Sequence, residues 1–306
     1  MSNGSRLLLL TVAFSNLVSV ASAQTSAADH SDSARTSSVA TPDPRAVQPE
    51  RPTVATHAYT VAPGYVEIEA GVQDARPNGL TQLVAPLVVK VGLTSRLQLE
   101  LQGGYVRTGV APSATLAGVA DLAIAVKQRV LDAAPLVQDL SLQGAIKFPS
   151  GGRDLTTGTT DVSVLVISSR AIGSAEVDLN AGYTHRSGDG SSVPINATLL
   201  TASLDSPLRG PIGGVAELFS YPATSGPAGA ATMIGFLVGP TWQIAPSLVL
   251  DAGAIVNVRS MGGNAAYAGV TVNAGRLPAL LRHASARPPA TRQQSGWQPV
   301  ATSRFP

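Results

Sequence analysis

Charged side chains recur at alternate positions inside otherwise apolar runs of the chain. Carboxylates and ammonium groups that share one face can pair there if the face is wet. In rings around a path, such groups set the charge and the width that a solute meets. The spacing therefore predicts a polar interior surface with these candidate solute-path residues: Glu67, Glu69, Lys90, Glu100, Asp121, Lys127, Lys147, Asp161, Glu176, Asp178, Glu217 and Asp251.

Residues suited to catalysis are scarce. Two of the four histidines lie in the ends predicted to be disordered, and only His185, near Ser187 and Asp189, could belong to a Ser/His/acid arrangement. A Ser/His/acid arrangement needs its nucleophile and base within ~3 Å of each other, and a Gly- and Ser-rich loop holds such geometry poorly. The chain has no cysteine, which excludes thiol catalysis, iron–sulfur clusters and zinc–thiolate sites. We predict no catalytic residue, no metal and no cofactor, with a lipid hydrolase that uses His185 as the remaining enzymatic alternative.

The elements that carry the charges alternate with a period of two. In residues 175–184, Val177, Leu179 and Ala181 fall on one face, and Glu176 and Asp178 fall on the other. Strict alternation of this kind is typical of a half-buried β-strand. Residues 119–131 also fit a helical period, but their neighbours favour a strand.

About twelve such segments follow one another, each close to the ~9–11 residues that cross a bilayer at a tilt. The connections at 94–95, 171–173 and 245–247 are tight, whereas those at 74–80, 108–115, 149–159, 186–194 and 222–231 are long and polar. Residues 133–139 and 206–210 are of moderate length. Predicted strand starts are Gly64, Gln82, Leu97, Leu116, Leu140, Thr160, Ala175, Ile195, Gly213, Met233, Leu248 and Ala265.

The residue types on the two faces favour a membrane barrel over a soluble sandwich. A sandwich needs bulky side chains to fill its shared core, but the apolar positions here are mainly Ala, Val, Leu and Gly. A closed barrel also leaves no backbone donor or acceptor open to lipid. Aromatic residues near predicted strand ends suggest interfacial belts: Tyr65, Tyr105, Phe148, Tyr183, Phe219, Tyr221, Trp242 and Tyr267.

Composition excludes several other classes. Hydrophobic residues make up 44% of the 306 residues and charged residues only 13%, with a mean hydropathy of +0.19. After the N-terminus there is no run of ~18 apolar residues, which argues against a helical membrane bundle. The net charge of +2 is too small to indicate nucleic-acid binding by itself. The fold class predicted is all-β, an antiparallel transmembrane β-barrel of about twelve strands.

Both ends of the chain differ from its middle. Arg6, an apolar run and the small residues at 21–23 predict a signal peptide over 1–23. Residues 24–56, rich in Ser, Thr and Pro, are predicted to be disordered because they carry too little apolar surface to offset chain entropy. The barrel is predicted over 57–277. Residues 278–306 form a basic tail without acidic residues, predicted to be disordered.

Several short motifs resemble those of a known family. They are GVADL at 118–122, IKFPSG at 146–151, LNAGY at 179–183 and YAGVT at 267–271. In order and spacing they resemble the exported, transporter-like family named for the MetA pathway of phenol degradation. The resemblance implies an outer-membrane β-barrel linked with the handling of aromatic or other hydrophobic compounds. A Gly tends to precede the aspartate in that family, where Ala120 stands here.

These observations predict an outer-membrane channel of a Gram-negative-type cell. Small, hydrophobic or aromatic solutes would pass by diffusion through the charged lumen. The expected partners are outer-membrane lipid, a small-molecule solute and the barrel-assembly machinery, without nucleic acid; the oligomeric state stays open. One alternative is a barrel with a structural or adhesive role and no transport. Another is that the inward charges form a closed network in a plugged lumen.

Overall fold

The structure is a computed structural model that describes residues 43–77, 80–110, 114–135, 138–152, 154–260 and 263–278. The predicted signal peptide, residues 24–42 and nearly all of the basic tail lie outside the described residues. Within the described ranges, no helix is long and apolar enough to cross a membrane.

Thirteen strand segments build one closed antiparallel sheet. The segments β4 and β5 both pair with β3 and form one wall strand that is interrupted at Ala120 and Asp121, so the barrel has twelve strands. Closure comes from the pairing of β1 with β13 and of β2 with β3. The prediction of an antiparallel twelve-strand barrel is confirmed. The segments are β1 (Tyr65–Ala75), β2 (Leu80–Thr94), β3 (Leu97–Val110), β4 (Ala114–Val119), β5 (Leu122–Ala134), β6 (Gln138–Phe148), β7 (Asp161–Ile172), β8 (Ala175–Arg186), β9 (Asn196–Arg209), β10 (Ile212–Tyr221), β11 (Met233–Ala245), β12 (Leu248–Arg259) and β13 (Ala265–Arg276).

The two faces of the wall differ as the alternation predicts. In β5, Ile124 and Val126 are exposed on the outer face, while Ala125 and Lys127 are buried on the inner face. The segment 119–131 is therefore strand, apart from the interruption at Ala120 and Asp121. An outer surface with many exposed Leu, Val and Ile side chains is unfavourable in water and favourable against an apolar medium.

The connections alternate between a short-turn end and a long-loop end of the barrel. At the short-turn end, β7 and β8 are joined by Gly173 and Ser174, and β11 and β12 by Pro246 and Ser247. The connection predicted at 206–210 is shorter than expected, because β9 continues to Arg209. Gly210, whose φ is +56°, makes this tight connection to β10 possible.

Residues 43–63, called here the inner segment, run inside the barrel. The segment enters at the short-turn end, where Val47 N donates to Pro246 O at 2.8 Å. It turns back within the lumen and returns to the same end, where Thr60 Oγ1 donates to Ser95 O at 3.2 Å. Ala55, His57 and Ala58 between these points are fully buried.

The course of residues 43–56 differs from the disorder predicted over 24–56. That prediction counted only the apolar surface the segment could bury. The structure stabilises it in another way, through hydrogen bonds and ion pairs with wall side chains from sequence-distant strands.

Candidate functional site: the lumen and its occupant

The structure places all twelve predicted solute-path residues inside the barrel. Lys90, Lys127, Glu67 and Asp178 are fully buried, and the others are buried or half-buried. Most of their strand neighbours are apolar residues that are exposed or half-buried, so the pleat directs the charges inward. Their role in a solute path stays a prediction.

Two wall lysines, Lys90 on β2 and Lys127 on β5, form what we call the lysine sector. The Lys90 ammonium lies 2.6 Å from both Glu67 and Glu69, and it donates to the carbonyl oxygen of Gln48 at 2.5 Å. Lys127 pairs with Glu50 of the inner segment. Lys127 also donates to Thr56 Oγ1 at 3.1 Å and to the carbonyl oxygen of His57 at 3.2 Å. The lysine sector therefore joins the inner segment to the wall through fully desolvated ionic contacts.

Gln98 bonds to both passes of the inner segment. Its amide nitrogen donates to Glu50 at 3.3 Å, and its amide oxygen accepts from Val61 N at 2.7 Å. The pass that enters the lumen and the pass that returns from it therefore lie side by side at this level.

Wall side chains accept hydrogen bonds from several backbone N–H groups of the inner segment. Gln48 N donates to Glu67 at 2.7 Å, and Glu50 N donates to Glu69 at 2.6 Å. Deeper in the lumen, Val54 N and Ala55 N both donate to Glu217 at 2.6 Å.

The next residue, Thr56, forms a reciprocal pair with Asn180. Its N–H donates to the amide oxygen of Asn180 at 2.6 Å, and its carbonyl accepts from the amide nitrogen at 2.8 Å. Side chains of the wall thus satisfy backbone groups that a sheet would otherwise satisfy.

Arg51 occupies a notch in the wall. Its guanidinium pairs with Asp251 at 3.4 Å, and both side chains are buried. It lies over Gly71 and Gly269, which face each other across the β1–β13 pairing. A Cβ at either glycine would overlap the guanidinium. The absence of two side chains therefore creates the space that this arginine fills.

The lumen also has an apolar part, which the sequence analysis did not predict. Val54 packs against two clusters of inward side chains, one around Phe219 and Leu237 and one around Leu165 and Ile167. Phe219 and Tyr267 are only 2% and 6% exposed, so they do not belong to the belts predicted for aromatic residues. In contrast, four of the predicted belt residues are exposed on the outer face: Tyr105, Phe148, Tyr183 and Trp242.

A second charged cluster lies at the long-loop end. Lys147 pairs with Asp121 at 2.7 Å and with Asp161 at 3.5 Å, and Arg186 pairs with Asp161 at 3.4 Å. The loop after β6 folds over this cluster, because Gly151 N donates to Asp121 at 3.0 Å. Three of the predicted residues are thereby brought together, and Arg186 joins them.

Burial and neighbouring charges shift the pKa values of Glu50 and His57 in the inner segment. Burial alone would raise the pKa of Glu50, but Lys127 and Lys90 lower it to about 2, so the carboxyl is an anion. Burial, together with the charge of Lys127, lowers the pKa of His57 to about 3, so its ring is neutral. Tyr59 N donates to Nδ1 of that ring at 3.1 Å, which leaves the ring proton on Nε2.

The candidate catalytic group has other contacts. His185 is exposed on the outer face, and its Nδ1 lies 3.0 Å from the Asn196 amide oxygen. Ser187 Oγ accepts from Thr160 N at 2.9 Å, and Asp189 accepts from Ser191. Among the described residues, no three His, Asp or Glu side chains converge as they would on one metal ion.

The sequence reasoning missed the inner segment and its contacts. One signal was available: Glu50 and Arg51 stand together between two prolines, in a stretch where Ser, Thr and Ala dominate. Opposite charges in such a stretch complement a lumen that carries charges of both signs.

Comparisons with known proteins identify the fold. No family model matches the chain, and no curated protein matches it. A solved outer-membrane channel of Pseudomonas putida F1 superposes with a TM-score of 0.57 at 16% identity, covering 71% of this chain and 97% of that one. The KdgM porin gives a TM-score of 0.48 at 10% identity, with 67% and 98% covered. The first likeness shows that the two chains share the barrel fold.

Proposed function

We propose that this protein is an outer-membrane channel for small solutes, and that the inner segment closes it in the conformation seen here. The observation that carries the proposal is that the inner segment fills the lumen with two passes of chain. Two passes of chain lying side by side need a bore of about 10 Å, because neighbouring extended chains lie ~5 Å apart. A lumen of that width admits small organic molecules once the segment leaves.

Contacts of the inner segment support reversible occupancy. It is held by side-chain hydrogen bonds, ion pairs and van der Waals contacts, and the two passes are not strands of the wall. The exposed apolar outer face supports a location in a bilayer. Since the short turns of such barrels lie on the periplasmic side, the segment would enter from the periplasm.

The solutes we propose are small hydrophobic or aromatic compounds that diffuse passively. Inward side chains of Phe219, Leu237 and Tyr267 form an apolar lining that such solutes would contact. The resemblance of the four motifs to the MetA-pathway family also supports this class of solute.

The test is electrical recording of the full chain in planar bilayers. We expect discrete openings, more frequent in Arg51→Ala because the contact with Asp251 is lost. A small neutral aromatic alcohol should interrupt the open current more often than a sugar of similar size. Phe219→Ala should shorten these interruptions, whereas Phe148→Ala, on the outer face, should leave them unchanged. Absence of any conductance in both wild type and Arg51→Ala would contradict the proposal.

One observation favours a second function. The many desolvated contacts between the inner segment and the lysine sector are also expected of a permanently closed barrel with a structural or adhesive role. The same recordings decide between the two, because a permanent plug gives no openings in either variant.

A further inference from the structure

Four carboxylates on three neighbouring strands form what we call the acidic patch: Glu176 and Asp178 on β8, Asp205 on β9 and Glu217 on β10. Cross-strand pairing places Glu176 opposite Asp205. It also places Ser203 between Asp178 and Glu217, opposite both. Adjacent pairs are ~5 Å apart and the patch spans about 10 Å across three strands, so a ligand that contacts all of it needs several separated donors.

The acidic patch has no cationic partner among the described residues. All ion pairs among the described residues use other carboxylates, such as Glu67 with Lys90 and Asp251 with Arg51. Like charges directly opposite each other destabilise a sheet. The ionised pair Glu176–Asp205 is therefore unfavourable unless a proton, a hydrogen-bond donor or a cation compensates it.

Buried oxygen atoms of the patch lack partners. Asp205 is 2% exposed, and its Oδ2 has no hydrogen-bond partner; Oε1 of Glu176 is also buried without one. A buried acceptor without a partner costs about 1–3 kcal/mol. These atoms point to a ligand that donates hydrogen bonds.

The inner segment already places donors on the patch. Tyr59 Oη donates to Glu176 at 2.9 Å, and the N–H groups of Val54 and Ala55 donate to Glu217. These donors are neutral, so they satisfy some lone pairs without neutralising charge. They stand where the N–H groups of a ligand would lie after the segment has left.

We propose that the acidic patch is a binding site for a small organic cation with N–H donors, such as an ammonium or amidinium compound with an apolar or aromatic body. Phe219 lies two residues from Glu217 on the same inner face, with Tyr221 edge-on to it at 6.3 Å between ring centroids. Aromatic faces attract cations and pack against apolar groups. This inference rests on the proposed function for the departure of the inner segment and for the route by which the cation reaches the lumen.

The experiment uses a single cysteine as a reporter, because the native chain has none. Ala55 is fully buried and donates to Glu217, so Ala55→Cys reacts with a maleimide only when the inner segment is out. Benzylammonium is the probe, with benzyl alcohol and benzenesulfonate as neutral and anionic controls. A ligand of the open state multiplies its population by 1 + [L]/Kd, so benzylammonium at ten times its Kd should accelerate labelling about tenfold. The two controls should not.

Substitution of the patch tests where the cation binds. Asp205→Asn removes a charge at a residue with no bond to the inner segment, and it should abolish most of the acceleration. Asp74→Asn, the same exchange at an exposed residue, is the matched control and should retain all of it. For each variant, the labelling rate with benzylammonium is divided by the labelling rate without it. Differences between variants in the absence of ligand therefore cancel. Thr53→Cys, at another buried position of the segment, repeats the measurement if Ala55→Cys does not assemble.

The outcomes separate this inference from the proposed function. Acceleration by benzyl alcohol as strong as that by benzylammonium, no acceleration at all, or full acceleration in Asp205→Asn overturns the cation site even if the barrel conducts. If the acceleration depends on Asp205 but the barrel never conducts, the cation site is supported and the proposed channel function is contradicted.

Discussion

The lysine sector and the acidic patch hold the same inner segment by different chemistry. Lys90 pairs with Glu67 and Glu69, and Lys127 pairs with Glu50, so each of these three carboxylates contacts a lysine ammonium. The acidic patch receives only neutral N–H and O–H donors. The difference suggests that the lysine sector serves mainly to retain the segment, and that the acidic patch can still bind a cation.

Loss of Lys127 should increase the release of the inner segment more than any other substitution proposed here. Lys127→Met leaves Glu50 buried without its ion-pair partner in the docked state, which costs about 3–5 kcal/mol. We expect labelling of Ala55→Cys to rise at least ~100-fold. Adding Glu50→Gln to Lys127→Met should restore much of the protection, since the uncharged amide at position 50 needs no counter-charge. Equal labelling of the single and double variants would show that the ion pair does not retain the segment.

Substitutions at the Arg51 notch should have the second-largest effect on docking of the inner segment. Arg51→Ala removes a buried contact to Asp251, and we expect a cost of about 2 kcal/mol to docking, or ~30-fold faster labelling. Gly71→Ala should also speed labelling in the native background, because its Cβ overlaps the guanidinium. In the Arg51→Ala background it should have little effect. Additive effects of the two substitutions would contradict the notch.

His57 should make docking pH-dependent. Its pKa is about 3 when docked and ~6.5 when free, so the docked state is fully favoured above pH 6.5 and loses stability as the pH falls towards 3. Between pH 6.5 and pH 5 this contribution reaches about 2 kcal/mol. Comparing Ala55→Cys labelling at each pH with and without His57→Gln isolates it. Parallel pH profiles of the two proteins would exclude His57 as the cause.

The smallest effect should come from the acidic patch. Tyr59→Phe removes one hydrogen bond to Glu176 but keeps the ring beneath Arg129, 5.2 Å from the centroid. We expect a cost of about 1 kcal/mol and ~5-fold faster labelling. An effect as large as that of Lys127→Met would erase the distinction between the two regions.

Much of the barrel could be predicted because its signal is local. Each predicted strand start lies within two residues of the observed one, as at Gly64 for β1 and Leu116 for β4. The pleat sends alternate side chains to opposite faces, so the period of two also predicts which charges point inward. The inner segment could not be predicted in this way, because Arg51 and Asp251 are 200 residues apart.

The sequence by itself determined the closed sheet and its two faces, since strand propensity and alternation act between neighbouring residues. Only the tertiary structure decided what fills the lumen, which aromatic side chains turn inward and which carboxylates lack a cation. Those outcomes depend on distances between side chains from different strands, and barrel closure alone sets these distances.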